Sequence, residues 1–450
     1  MENVECLAFY SIFFIFLKIN NKIFIMKTKL LLLLFVVSFS FGQQRTCGTD
    51  AYMEKMLSNP EMKKQYLDLQ KQFESELERL TNAQQQRNGS SVLSTNTTIR
   101  IPVAIHYPSV ANSSTESVKS CLRLLAQKQV AILNADYNAT NSDISLWSAA
   151  SSSYPGVNIG NMDVSWEIAT QNHPVSSGLS NGTLAVTFGT NFLSNADSDS
   201  AWAGYCNLVV RNISGGILGY SPLGGSPSQG MTVVIDNNAF GATMTGTPSS
   251  CSGYAPTSPY NLGRTLTHEL GHFFNLNHTF QGCDGANCAT SGDRVCDTPS
   301  ADTPWFNCGA PGTVFTNCGT TQLTMNYMDY VQDVCMYMFT AGQATRMMAW
   351  YNTISSQLQT NALANNDFVK NNFSISPNPN KGVFSIQLTE ASDNYSIIII
   401  DALGREIFNA EYNQTSDLVQ NIELDNALSG MYFVTIQSKG AQITKKIIIE

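Results

Sequence analysis

Only five histidines occur in this chain of 450 residues, and three share one short window, Thr267-His268-Glu269-Leu270-Gly271-His272-Phe273-Phe274-Asn275-Leu276-Asn277-His278. His268 and His272 are four apart, so on a helix both imidazoles leave one face and can chelate a single ion. Glu269 lies on the same turn, close enough to serve water at that ion without being a ligand. His278, six residues on, would point away from a straight helix. The helix must therefore end, and Asn275 is where it can, because Asn tolerates a left-handed backbone better than any residue but Gly. Three protein ligands with one open position is the catalytic form of a zinc site rather than the closed structural form.

Cysteine usage says where such a site would work. Of 11 cysteines, seven (Cys251, Cys283, Cys288, Cys296, Cys308, Cys318, Cys335) fall between residues 251 and 335. In an exported chain this clustering reads as disulfide stapling of a loop-rich segment. A cysteine-ligated structural zinc would want CxxC pairs, and none is present. Arg45-Thr-Cys47-Gly48 offers a further thiol: a Cys47 thiolate is a good zinc ligand and would displace the catalytic water, holding an enzyme latent. Apart from Cys6 and Cys47 nine cysteines remain, so one must stay unpaired, and Cys121 on an apolar-periodic helix is expected to be that buried thiol.

The elements that would carry these residues follow from periodicity. Helical spacing runs from Tyr52 to Leu80, and the polar stretch 82–98 reads as a loop open to cleavage, so residues 43–96 are expected to be a helical pro-segment. Strand-like runs then begin at Ile99–Ile105, followed by a helix at Val118–Tyr137. Further strands are expected at Val164–Ala169, Cys206–Val210, Ile217–Tyr220 and Met231–Ile235. This predicts an α+β domain over 97–360 with a mixed sheet and an irregular lower part after His278. A last helix is expected at Phe339–Leu358, with Thr340 and Gln343 as its capping box. Residues 361–372 read as a linker. Residues 373–450 read as a small all-β sandwich of about seven strands.

Composition sets the compartment. Charged residues are only 13% and the net charge is -9, which suits an extracellular protein and argues against nucleic-acid partners or a polybasic membrane face. Residues 1–42 are expected to be a leader. Met26-Lys-Thr-Lys29 followed by the apolar run Leu30–Phe41 has the layout of a secretory signal peptide, with Met26 the expected start. A tandem membrane anchor is the rival reading. No later stretch is apolar enough to span a bilayer.

The histidine string resembles the metzincin motif HExxHxxGxxH, with Asn275 where that family usually has Gly, and Asn326-Tyr-Met-Asp-Tyr330 is similar to the metzincin Met-turn. Gly263-Arg-Thr-Leu-Thr-His268, Gly292-Asp-Arg-Val-Cys-Asp-Thr-Pro299 and Cys335-Met-Tyr-Met-Phe-Thr340 narrow the resemblance to the pappalysin family of metalloendopeptidases. It implies a metzincin fold, zinc on His268, His272 and His278, Glu269 as general base, Met328 beneath the metal, and Tyr330 on the tetrahedral intermediate. It further implies that Asp333 lines the pocket for the residue after the scissile bond, favouring Arg or Lys. Calcium is implied near Asp293, Asp297 and Thr298. One bridge is implied as Cys308–Cys335, another as Cys318 with Cys288 or Cys283.

Ser376-Pro-Asn-Pro-Asn-Lys-Gly382, Asp401-Ala-Leu-Gly404 and Leu428-Ser-Gly-Met-Tyr-Phe433 resemble the carboxy-terminal sorting domain of the type IX secretion system. That implies a Bacteroidetes-type bacterium, a partnership with that export machinery, and a secreted or surface location. The expected function is thus a secreted zinc endopeptidase acting on proteins or peptides. The alternative is a catalytically inactive metzincin-fold binding protein, which would be expected to have lost Glu269 or a ligand.

Overall fold

The computed structural model describes residues 45–86, 99–189, 197–243, 250–283, 285, 287–309, 313–363, 373–388, 394–402, 405–413, 418–424, 427–438 and 441–450. The leader, most of the stretch 82–98 and most of the linker lie outside the described residues.

Two helices open the described chain, α1 (Thr49–Leu57) and α2 (Pro60–Gln86). The single helix expected over Tyr52–Leu80 is broken because Pro60 cannot continue α1 but suits a first helical turn. The Asn59 side chain accepts the Glu61 and Met62 amides at 2.9 and 3.2 Å and so starts α2. Along α2, Phe73 and Leu80 are buried and Tyr66, Leu69, Leu77 pack beside them, one helical stripe facing the core.

The central sheet follows. Its strands are β1 (Ile99–Tyr107), β2 (Val164–Ile168), β3 (Val186–Phe188), β4 (Cys206–Arg211), β5 (Gly219–Tyr220) and β6 (Thr232–Asp236). The order is β2-β1-β4-β6-β5, with β3 also pairing β1; every pairing is parallel except β5 with β6, so β5 is an antiparallel edge. Parallel strands covered on both faces should read as unbroken apolar runs, and the middle of β1, residues 101–105, does. Its Val103 and Ile105 join the large core under the helices, while Ala104 packs with Trp202, Tyr205 and Val209 on the other face. Helix α3 (Glu116–Tyr137) lies on the first of these faces, followed by helix α4 (Arg264–Phe273), which carries the first two clustered histidines. Strand β3 was not anticipated; three residues are too few to show a period.

Between α4 and the last long helix, α5 (Ala341–Ile354), the described chain has no long element; two-residue strands β7 (Thr316–Asn317) and β8 (Thr320–Thr321) form one hairpin. Disulfides hold this stretch: Cys283–Cys318, Cys288–Cys296 and Cys308–Cys335. Cys318 therefore takes Cys283. The expectation for Cys121 is corrected, since Cys121 bonds Cys251 across 130 residues. The buried thiol outside any bridge is Cys206 on β4, where burial pushes its pKa far up. Helix α5 begins on the expected capping box, Thr340 accepting the Gln343 amide at 3.1 Å and the Gln343 side chain accepting the Thr340 amide at 2.9 Å.

The carboxy-terminal region has its own core. Seven strands, β9 (Ser374–Ser376), β10 (Val383–Gln387), β11 (Asn394–Asp401), β12 (Glu406–Asn413), β13 (Val419–Glu423), β14 (Gly430–Ser438) and β15 (Ala441–Ile449), form two antiparallel sheets ordered β13-β10-β9 and β12-β11-β14-β15. Phe384, Ile386, Ile397, Ile399, Val434, Ile436 and Ile447 fill the space between them. Among the described residues no helix is long and apolar enough to cross a membrane.

Candidate metal centre

Helix α4 is buried over its whole length, Arg264 to Phe273. Its rotation is fixed at the first turn. The Arg264 guanidinium meets Asp136 at 3.0 Å and Asp143 at 2.9 Å, and Thr267 donates to Asp136 at 2.7 Å. Its start is held by Asp333, wholly buried, whose Oδ2 accepts the amides of Leu262 and Arg264 at 2.9 and 3.2 Å. The end of α4 is a left-handed turn at Asn275, φ 68°. The Asn275 amide donates to the His272 carbonyl at 2.8 Å and Leu276 to Gly271 at 2.9 Å, the paired closure of a Schellman ending. This turn sends the chain back so that His278 rejoins the other two histidines.

The three imidazoles converge with one more side chain. Ligand atoms of Cys47, His268, His272 and His278 all lie within 4.8 Å of one another. Backbone carbonyls orient two of the rings: His268 Nδ1 stands 2.7 Å from the Tyr327 oxygen, and His272 Nδ1 2.7 Å from the Leu276 oxygen. With Nδ1 donating there, Nε2 keeps its lone pair for a cation. His272 Nε2 and His278 Nε2 are 3.1 Å apart, a separation that tetrahedral ligands share. Burial lowers the pKa of His272 to about 4 and that of His278 well below its usual value, so both are neutral, the form that coordinates. Three neutral imidazoles and one thiol fit zinc in charge and softness.

Glu269, 1% exposed, borders this cluster rather than joining it. Its Oε2 accepts from the Cys47 thiol and from the Thr49 hydroxyl, both at 3.4 Å. On its other side lies Gly219 of the edge strand, where any Cβ would come within 2.9 Å of Glu269 Oε1. Residues 46–48 lie along that same edge as an added parallel strand, Gly48 donating to the Gly219 carbonyl and Leu218 to the Thr46 carbonyl, both at 2.9 Å. Burial, then the Glu269 charge, push the Cys47 thiol pKa well up; a divalent cation among the four ligands is what would favour the thiolate.

Met328 is wholly buried, and a Cβ at Gly271 would sit 2.4 Å from its sulfur, so glycine in the middle of α4 is what lets the methionine pack against the helix. The Met328 amide donates to Asn326 Oδ1 at 2.9 Å, and the Asn326 and Gln343 amides pair with each other at 2.7 and 3.1 Å. The Tyr330 ring lies 5.1 Å from His278 and 5.8 Å from His268. Burial first, then the nearby Cys47 and Glu269, raise its hydroxyl pKa above the ordinary value.

The residues implied near calcium are engaged in hydrogen bonds within the protein. Both Asp297 oxygens serve the start of α5, Oδ1 accepting from the Thr340 hydroxyl at 2.7 Å and Oδ2 from the Gly342 amide at 2.8 Å. Thr298 faces Thr340 at 3.4 Å, and Asp293 Oδ1 accepts the Val295 amide at 2.9 Å. Among the described residues, no cluster of side chains able to hold a metal contains these three. A carboxylate at a helix start satisfies orphan amides.

Two further residues escaped the sequence reading. Thr49 bridges the Ser221 amide (3.1 Å) and Glu269. Gln70 pairs with the Asn275 side chain. Both contacts join residues about 170 or more apart in sequence, which no local spacing reveals.

Comparison with known proteins agrees with this geometry. Residues 199–352 match the peptidase M43 family described as pregnancy-associated plasma protein-A. An extracellular metalloprotease of Colletotrichum graminicola is 38% identical over 149 residues, 33% of this chain and 50% of that protein. Extracellular metalloprotease 1 of Coccidioides posadasii is 37% identical over 155 residues, with the same coverage, 33% and 50%. The chain thus spans about half the length of these relatives. Among solved structures, a mutant promirolysin of Tannerella forsythia is 25% identical with a TM-score of 0.49, covering 71% of this chain and 98% of that one. Residues 374–450 match the secretion system C-terminal sorting domain. The three-histidine site thus lies inside a stretch similar to the peptidase M43 family, and a stretch similar to the secretion sorting domain follows it.

Proposed function

We propose that this protein is a secreted zinc-dependent endopeptidase held latent by residues 43–96. The observation that carries the reading is the convergence of His268, His272, His278 and Cys47 beside the buried carboxylate of Glu269. His268, His272 and His278 would hold zinc, which would supply a Lewis acid and lower the pKa of water there. Glu269 then takes a proton from the attacking water and passes it to the leaving amine, general base followed by general acid. Tyr330, kept protonated, donates to the oxyanion as charge develops on the scissile oxygen. The helix ending at Asn275 does the aiming, and Met328 under Gly271 keeps the histidines from tilting.

Cys47 Sγ lies within 4.8 Å of the three histidine ligand atoms, and Cys47 with Thr49 stands against Glu269. Nucleophile and base are blocked together, which supports latency and the need to remove the segment. A preference for Arg or Lys after the scissile bond is part of this reading and rests on the sequence resemblance at Asp333, whose Oδ2 here accepts the Leu262 and Arg264 amides. The sorting domain supports export through a type IX machinery after a Sec-type leader, from a Bacteroidetes-type cell.

The test is cleavage of a mixed peptide library after residues up to 96 have been removed, with wild type beside Glu269→Ala. Wild type should cut before Arg or Lys and the variant should not. Cutting without basic preference would remove the role of Asp333 and leave the mechanism. A zinc-loaded wild type that cuts nothing would move the reading to an inactive binding protein.

A further inference from the structure

Residues 60–86 reach the catalytic domain far from Cys47 in sequence. Along α2, Gln70 and Asn275 join their amide side chains twice, Gln70 Nε2 to Asn275 Oδ1 at 3.1 Å and Asn275 Nδ2 to Gln70 Oε1 at 3.0 Å. One turn on, Phe73 is 2% exposed. Its ring has the Arg346 guanidinium over it at 4.8 Å and the Trp350 indole 5.6 Å away. A further turn on, Glu76 accepts from the Asn352 amide at 2.7 Å. The spacing 70, 73, 76 is one helix face; Arg346 and Trp350 share one face of α5 with Asn275 beside it, and Asn352 meets Glu76 from another side of that helix. The receiving side is built: Arg346, 5% exposed, donates Nε to the Asn275 carbonyl at 2.8 Å, and Trp350 donates Nε1 to the Gly225 carbonyl at 3.1 Å. These bonds hold Asn275, Arg346 and Trp350 in place without help from α2.

We propose that Asn275, Arg346 and Trp350 form a metal-independent docking site for residues 60–86 of this chain, so that the segment is held by two separate grips, Cys47 at the zinc ligands and Phe73 with Gln70 at α5. The proposal rests on reading residues 43–96 as a pro-segment. Cys47 can be released by metal loss or thiol chemistry; the second grip contains neither metal nor thiol and answers to neither. A single cut between α2 and β1 therefore leaves the detached segment bound and the active site covered. Activation requires a second event that destroys α2 or pulls it off α5. The side chain at 275 is what an ordinary glycine at this turn would lack, and here it carries the amide pair.

The test uses the full chain with a site-specific protease sequence placed within 87–98. After that cut, the proteins are passed over a sizing column with and without 1,10-phenanthroline, and mass spectrometry reads whether the segment ending at residue 86 stays with the remainder. Wild type should retain it in both buffers, and Cys47→Ser should retain it with zinc present. Adding Gln70→Leu and Phe73→Ala to Cys47→Ser should lower retention at least tenfold, whereas the same pair in the Cys47 chain should still be retained while zinc is present. Release of the segment by Cys47→Ser alone would overturn the proposal. So would undiminished retention in the triple variant. Catalysis is not read at any point, so an inactive enzyme would sink the peptidase reading and leave this one standing.

Discussion

Between Arg264 and His278 every residue but Asn277 is buried, and position is set by hydrogen bonds: Asp333 and Arg264 at the start, the Asn275 turn at the end, backbone carbonyls on His268 and His272. Between Cys283 and Cys335 the described residues form only the β7–β8 hairpin and one short 3-10 turn, and three disulfides hold them. The first region must aim three side chains at one point, which a capped helix of fixed rotation does well. The second must only keep an irregular wall in place, and it has too little apolar surface of its own to do so. Covalent closure removes loop entropy from the unfolded chain without demanding a regular fold. The Met328 turn sits within the stapled stretch yet is held by the Asn326–Gln343 amide pair, so aiming by hydrogen bond continues wherever the metal site is touched.

Changes in the two regions should therefore separate in what they damage. The largest effect is expected from Glu269→Gln, which should lower kcat by about 10²–10⁴-fold with zinc content unchanged, checked by peptide kinetics and metal analysis; loss of zinc in this variant would make Glu269 a ligand and break the distinction drawn above. Replacing Cys308 and Cys335 with serine should cost about 2–4 kcal/mol in chemical denaturation, while zinc affinity, read by chelator competition, stays close to wild type. An equal loss of zinc affinity would mean that the staples do aim the site. Gly271→Ala pushes a Cβ into the Met328 sulfur and should cost roughly 1–3 kcal/mol as the core is overpacked, with a changed visible spectrum of the cobalt-substituted site. Asn275→Ala should cost more than Asn275→Gly by about 1 kcal/mol, because only the former is strained at φ 68°.

The smallest effect tests a residue outside both regions. His106 in the sheet is buried against Thr187 and Asn207, and burial lowers its pKa to about 3. The folded state keeps it neutral while the unfolded chain protonates it below about 6.5, so stability should fall as pH drops from 6.5 toward 3. His106→Asn should flatten that part of the melting-temperature profile.

How far the sequence could be read depended on the range of the interaction. His268, His272 and His278 were legible because four-residue spacing and a turn-tolerant Asn275 are local facts. The Thr340–Gln343 capping box and the seven strands of the sorting domain were legible for the same reason. The helix break at Asn59–Pro60 was written in the chain and overlooked in favour of a longer period. Cys121–Cys251 was not legible, since pairing across 130 residues depends on how α3 lies over the sheet. The part Asp297 plays at the start of α5 was not legible, since Thr340 and Gly342 lie more than 40 residues further along the chain. Gln70 gave no signal at all, its meaning lying entirely in Asn275.

The edge strand β5 is only Gly219 and Tyr220, and in this structure its outer side is taken by residues 46–48 of the same chain. An edge of this kind grips any polypeptide through its amides and carbonyls, which every protein possesses. Once vacated, it would read extension rather than identity, so a stretch of unfolded or loosely folded chain would be bound before any side chain was inspected. A cell exporting such a catalyst would have its own passing polypeptides within reach of that grip, and keeping the ledge filled from within until the journey ends is a form of self-protection.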